Sequence, residues 1–288
     1  MNSHFVHPIP VVSKRKENKM SEQRLAKKFE ELKFSDDFMF GKVMEDKELC
    51  REVLECLLQR PVGELREVQT QKEIKFTSDG KPIRLDVFNE DRAGVVYDAE
   101  MQNLNNHSIE WHALPRRSRF YQASIDVDFM NRGSTYDILP ESNVMFICTF
   151  DPFKKGLYQY TFREKCDELQ DLTLDDGTMK IFYNCCYEGD DIAESLKQLY
   201  EYIRFGKTES ILTRKIDHAV TEGRRNEAWR TQYMKERLVI YDAMRELREE
   251  IEEEKKRADE EKRRADKAET ENATLRKELE KYKKLTTV

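Results

Sequence analysis

The chain has 288 residues, 38% of them charged, and a formal net charge of −6, with a mean hydropathy of −0.84. No apolar run approaches the roughly 18–20 residues that a helical membrane span needs, and the negative balance excludes a protein that coats nucleic acid by bulk positive charge. A local basic cleft stays open, because a few lysines and arginines on one face suffice for it.

Residues 1–33 are expected to be a disordered or helical N-terminal extension. Met1 to Val12 holds two prolines and two histidines and is followed by Lys14-Arg15-Lys16, so no secretory apolar core is present there. Met20-Ser21-Glu22 offers a second start, which leaves residues 1–19 either an extension or untranslated. From Ser35 to about Leu58 the apolar positions Phe38, Val43, Met44, Leu49, Val53, Leu54, Leu57 and Leu58 fit a helix packed on a sheet. Ser35 or Asp36 can cap it, and Pro61-Val62-Gly63 ends it.

Extended segments follow. Glu67 to Phe76 places Val68, Ile74 and Phe76 on one strand face, and Asp79-Gly80-Lys81 signals a turn. Ile83 to Phe88 alternates at period two, Asn89 to Gly94 is a polar connection, and Val95 to Gln102 is the next strand, so the pair predicts an antiparallel hairpin. His107 to Met130 is expected to be helical with Pro115 near its start or at a kink. Asn143 to Phe150 is a short apolar run typical of a buried strand; Leu157–Phe162 and Met179–Tyr187 are candidates for two more. Helix returns from Asp190 to Ile203. The order is α-β-β-β-α-β with additions, a mixed α/β core over residues 34–205.

Residues 206–288 are expected to be a helical tail. Between Arg245 and Lys284, 28 of 40 residues are charged, 14 basic and 14 acidic, with no Pro or Gly. Counting in sevens puts Met244, Ile251, Ala258, Ala265, Asn272 and Leu279 at a positions. The d positions are then Ile240, Leu247, Glu254, Glu261, Ala268, Leu275 and Tyr282. This predicts a coiled coil with a weak middle and better ends, and a homo-oligomer through it; the competing expectation is a long single solvated helix. The six cysteines form no CxxC pair and the five histidines are scattered, so they are expected to be reduced thiols of a cytoplasmic protein.

The residues that can carry chemistry lie in the hairpin. Glu100 and Gln102 stand two apart on one strand and leave the same face, with Asp86 near them across the hairpin. Either these are solvent-facing residues in ordinary alternation, or they are carboxylates in apolar strands, costly unless a cation compensates them. Converging carboxylates are what Mg²⁺, which takes hard oxygen ligands, requires for phosphodiester hydrolysis.

Four stretches in order, Ser35-Asp36-Asp37-Phe38-Met39-Phe40, Ile83-Arg84-Leu85-Asp86-Val87, Tyr97-Asp98-Ala99-Glu100-Met101-Gln102 and Arg116-Arg117-Ser118-Arg119-Phe120-Tyr121, resemble the PD-(D/E)XK nuclease family transposases. This family is also called the recombination-promoting nuclease (Rpn) family of bacteria. The resemblance covers roughly residues 34–205 and implies a restriction-endonuclease-like αβββαβ core. It implies Asp86 and Glu100 as metal-binding acids, with Gln102 as the third catalytic residue where the superfamily more often has lysine. It matches Asp37 to a polar position heading the first helix, and Arg117 with Tyr121 to a basic-aromatic helix that contacts DNA. Glu48, like Glu45, could add an acidic ligand, although surface decoration of a helix is the simpler reading of both.

The implied activity is an Mg²⁺- or Mn²⁺-dependent DNA endonuclease linked to recombination or mobile elements. Glutamine can orient water but supplies neither charge nor a usable pKa, so the alternative is a catalytically inactive nuclease fold used for DNA binding or oligomerisation. A third reading is a coiled-coil scaffold whose globular part binds protein.

Overall fold

The computed structural model describes residues 27–74, 83–103, 112–130 and 135–285. It divides into two compact units, Met1–Arg230 and Thr231–Val288.

The single helix expected over 35–58 is two, α1 (Asp37–Met44) and α2 (Lys47–Leu58). Asp46 makes the break, because its carboxylate accepts from the backbone amides of Glu48 and Leu49 at 3.0 and 3.1 Å and so starts a new helix. Both helices keep one apolar face inward: Met39, Phe40, Val43 and Met44 on α1, and Leu49, Cys50, Val53, Leu54 and Leu57 on α2, are buried. Gln59, in the left-handed region at φ 51°, terminates α2 just before Pro61.

Six strands form one mixed sheet: β1 (Leu65–Ile74), β2 (Ile83–Asp91), β3 (Val96–Gln102), β4 (Ser142–Cys148), β5 (Gln159–Phe162) and β6 (Thr178–Asn184). Their spatial order is β1-β2-β3-β4-β6-β5. The pairs β1/β2, β2/β3 and β5/β6 are antiparallel, while β3/β4 and β4/β6 are parallel. The polar connection expected at Asn89–Gly94 is shorter than the residue types suggested. Asn89 and Glu90 continue β2, and the turn is closed by Asp91, whose amide bonds the Val95 carbonyl and whose carboxylate accepts from the Val95 amide. Gly94, at φ 88°, supplies the left-handed residue that this turn requires. Asn89 is tolerated inside because its amide nitrogen reaches the Cys50 sulfur at 3.5 Å. Phe76 and the Asp79-Gly80-Lys81 turn lie outside the described residues, as do residues 107–111 of the helix expected from His107.

Helix α3 (Leu114–Met130) crosses from β3 to β4, with Pro115 in its first turn, where a missing amide costs nothing. Its Leu114, Tyr121, Ile125 and Phe129 join Phe88, Val144, Phe146 and Phe182 of the sheet in one apolar cluster. Helix α4 (Glu194–Phe205) ends at Gly206, and α5 (Ile211–Arg225) starts on a capping box of Ser210 and Thr213. Helix α5 packs against α1 and α2, with Ile216 and Val220 buried and Lys215 paired to Glu52 at 2.6 Å. All six cysteines are free.

The second unit consists of α6 (Glu227–Leu285) from residue 231 onward. Leu238, Ile240, Leu247, Leu275 and Leu279 are exposed along it.

Candidate active site

Apart from a register shift between Leu65 and Glu67 at the start of β1, the ladders of the sheet are interrupted at Asp86. On the β1 side the register passes from Thr70↔Val87 to Lys72↔Leu85, skipping Gln71 and Asp86, and Gln71 sits in the left-handed region at φ 55°. On the β3 side the ladder runs from Glu90↔Val96 to Val87↔Ala99 and stops. Side chains replace the next rung: the Asp86 amide donates to Glu100 Oε1 at 2.7 Å, and the Met101 amide donates to Asp86 Oδ2 at 3.2 Å. Each acid thus holds the other's strand, and the two carboxylates face one another where the strands part.

Strand β3 is buried along its whole length, so its polar side chains have no water to fall back on. Asp98 is 0%, Glu100 1% and Gln102 6% exposed. Burial pushes the Glu100 carboxyl well above its ordinary range, and the neighbouring Asp98 pushes it further; the Asp86 amide and Arg117 oppose this. Asp86 is raised for the same reasons, with Glu100 and Asp37 as the like charges. Asp98 is raised by burial and by Asp86. Neither Asp98 oxygen meets a hydrogen-bond partner among the described residues. Across the ladder Asp98 faces Phe88, over whose ring Lys72 places its ammonium at 3.6 Å from the centroid while pairing with Asp128.

Arg117, on the first turns of α3, is the cation of the site. Its guanidinium donates to Gln102 Oε1 at 3.0 Å and to the Tyr121 hydroxyl at 2.9 Å, and lies 3.6 Å from Glu100 Oε2. It also lies over the Tyr121 and Phe146 rings, which fixes the fork in place.

Asp86, Glu100, Gln102, Arg117 and Tyr121 therefore converge, and Asp37 bears on them electrostatically from the head of α1. Glu48 does not join them: it sits in the first turn of α2, largely exposed, and pairs with Arg51 at 2.9 Å. Glu45 pairs with Lys42. Arg116 and Arg119 are exposed on α3. Asp98 was missed as a site residue, although a carboxylate two positions before Glu100 in an apolar strand was the available signal.

Among the described residues no group of three His, Cys, Asp or Glu side chains is poised to hold a metal ion. The donor set nevertheless fits a divalent cation. Asp98 and Glu100, both buried, and Asp86, half-buried beside them, supply hard oxygen ligands facing the Arg117 guanidinium, and a site of this kind would complete its shell with water or phosphate oxygens.

The arrangement has a counterpart among known families. Residues 34–172 match the family model of the PD-(D/E)XK nuclease family transposases. The segment, just under half of the chain, is a domain of that family, and it contains every residue of the cluster. The mixed sheet with α1 and α3 fits the restriction-endonuclease-like core of PD-(D/E)XK proteins, and nucleases of this kind typically use divalent metal ions. Comparisons with curated proteins and with solved structures give no match. No helix among the described residues is long and apolar enough to cross a membrane.

Proposed function

We propose that the nuclease-family domain is an Mg²⁺- or Mn²⁺-dependent DNA endonuclease of the Rpn type, cytoplasmic and serving recombination or mobile elements. The observation that supports this most is the parting of β2 and β3 at Asp86 and Glu100, where buried carboxylates outnumber the cations facing them. Asp86 and Glu100 would hold the ion, which when bound polarises the scissile phosphate and lowers the pKa of an attacking water. Gln102 accepts from Arg117 through Oε1, which leaves its amide N–H groups to donate to a water or a phosphate oxygen; it orients and takes no proton. The charge that lysine would supply at position 102 comes instead from Arg117, held at Gln102 by that hydrogen bond and suited to a phosphate by its fork. Tyr121 braces the guanidinium from the far side.

Nicking of supercoiled DNA by the purified chain tests the proposal. With Mg²⁺ or Mn²⁺ the wild type should nick, and Glu100→Gln should lose about 100-fold or more. Equal rates in both would remove the assignment.

One observation favours a second reading, a nuclease fold that binds DNA without cutting it: the neutral Gln102 leaves the site without its own base. That module would bind DNA at low salt yet show no rise in melting temperature with Mn²⁺. In either reading α6 serves as a self-association device, making the protein a homo-oligomer; sedimentation of the full chain measures it.

A further inference from the structure

The apolar positions of α6 do not by themselves choose an orientation for its partner, but the charges beside them do. With Met244 and Ile251 at a, the g positions are Glu250, Arg257, Arg264, Glu271 and Glu278, and the e positions up to residue 276 are Arg248, Lys255, Lys262, Glu269 and Arg276. In a parallel pair each g residue meets the e residue five places on in the other copy. Up to residue 276 that gives Glu250 with Lys255, Arg264 with Glu269 and Glu271 with Arg276, three attractions, against one repulsion of Arg257 with Lys262.

Antiparallel pairs match g with g and e with e. The register that sets Ile251 against Leu275 and Leu247 against Leu279 opposes Glu250 to Glu278, Arg248 to Arg276, Arg264 to itself and Lys262 to itself. Only Arg257 with Glu271 and Lys255 with Glu269 attract there. One heptad away in one direction, Glu250 meets Glu271, Arg257 meets Arg264 and Lys255 meets Lys262, while Arg248 with Glu269 is the lone attraction. One heptad away in the other, Arg257 with Glu278, Arg264 with Glu271 and Lys262 with Glu269 attract, but Lys255 meets Arg276 and the seam sets Leu279 against Glu254 and Asn272 against Glu261. Like charges disfavour the first two alternatives, and the mismatched seam disfavours the third.

We infer that α6 pairs with α6 of a second copy of this chain as a parallel, in-register, two-stranded coiled coil. Asn272 at an a position then meets its own copy and can hydrogen-bond to it, which fixes register at some cost in stability. Glu254 and Glu261 at d also meet their own copies, and the adjoining e residues of the other helix, Lys255 and Lys262, offset that repulsion. The middle layers Ala258, Ala265 and Ala268 bury little, so the pairing is weak and concentration-dependent.

This rests on the self-association proposed above, and the test separates the two. Sedimentation equilibrium of the full chain should give a two-chain species. Ala258→Cys, at an a position, should cross-link to itself under copper-phenanthroline oxidation, whereas the wild type with its native cysteines should not. Glu250→Lys should weaken the dimer roughly fivefold, and Glu250→Lys with Lys255→Glu should restore it. Residues 250 and 255 do not face each other within one helix, so rescue reports the contact between copies. A single-chain mass at all concentrations overturns self-association. A dimer that fails to cross-link at 258, or that the double change does not restore, overturns the parallel arrangement alone.

Discussion

Strand β3 and helix α6 use the same ionisable residue types under opposite conditions. In β3, Asp98 and Glu100 lie within seven residues that are buried throughout, and the compensating cation, Arg117, comes from another element. In α6, 28 of 40 residues from 245 to 284 are charged, and those up to Lys281 stand in water. Withdrawing a carboxylate from solvent costs several kcal/mol unless it is compensated, whereas an exposed ion pair contributes about 0–1 kcal/mol. A few buried acids are therefore stronger evidence of a ligand than a dense surface array. The pattern of α6 carries information only through spacing.

The comparison breaks first at Glu100. Glu100→Gln keeps an acceptor for the Asp86 amide and removes the buried charge. Nicking should fall about 100-fold or more, while the metal-free melting temperature should hold or rise at neutral pH. A clear fall in melting temperature would mean that Glu100 serves the fold through Arg117, and the contrast with α6 would lose its functional meaning. Arg117 comes next. Arg117→Ala should cut nicking about 10- to 100-fold, and Arg117→Lys should not restore it, because an ammonium cannot bridge Gln102 and Tyr121 with one planar fork.

Acidity sharpens the same contrast with a smaller effect. Asp86, Asp98 and Glu100 all have folded pKa values raised above their ordinary ones. The stability they contribute is thus fully present below the unfolded carboxylate range, about 4, and is lost as pH rises through the raised folded values. Metal-free protein should melt at falling temperature from about pH 5 to pH 8, and Mn²⁺ should recover most at the alkaline end, where protons compete least for the ligands. A melting temperature that rises over this range in Glu100→Gln and wild type alike would detach the slope from the site.

How much of this was legible beforehand depended on the range of the interaction. The β2–β3 hairpin and the shared face of Glu100 and Gln102 follow from period-two alternation, which is local, and both stand in the structure. So does α3 with Pro115 in its first turn. The split between α1 and α2 was written in Asp46, but a capping residue inside an apolar periodicity is easily absorbed into one longer helix. Asn89 looked like turn chemistry because its partner, the Cys50 sulfur, is 39 residues away in sequence. Helix α5 was assigned to the tail for a similar reason: its Ile216 and Val220 have their apolar partners on α1 and α2, far upstream. Asp98 went unnoticed because its significance is its burial on a central strand, and centrality is a property of the whole sheet. Arg117 was picked out by resemblance, yet its bond to Gln102 depends on the β3-α3-β4 crossover.

The smallest expected effect lies in α6, and it tests the other half of the contrast. Arg257 pairs with Glu253 one turn earlier at 3.7 Å, and both side chains are largely exposed. In a solvated helix such a pair contributes only a few tenths of a kcal/mol, most of it screened by salt. Arg257→Ala should thus leave nicking unchanged and shift the melting midpoint of the first unit by less than about 1 °C. The same change also deletes the single g–e repulsion, Arg257 against Lys262, from a parallel pair. Sedimentation should then show dimerisation unchanged or slightly tighter, and looser dimers would mean that Arg257 faces an acid in the other copy. A residue whose loss affects neither the fold nor the chemistry, yet moves association in a predicted direction, is what a charge array informative only by spacing should contain.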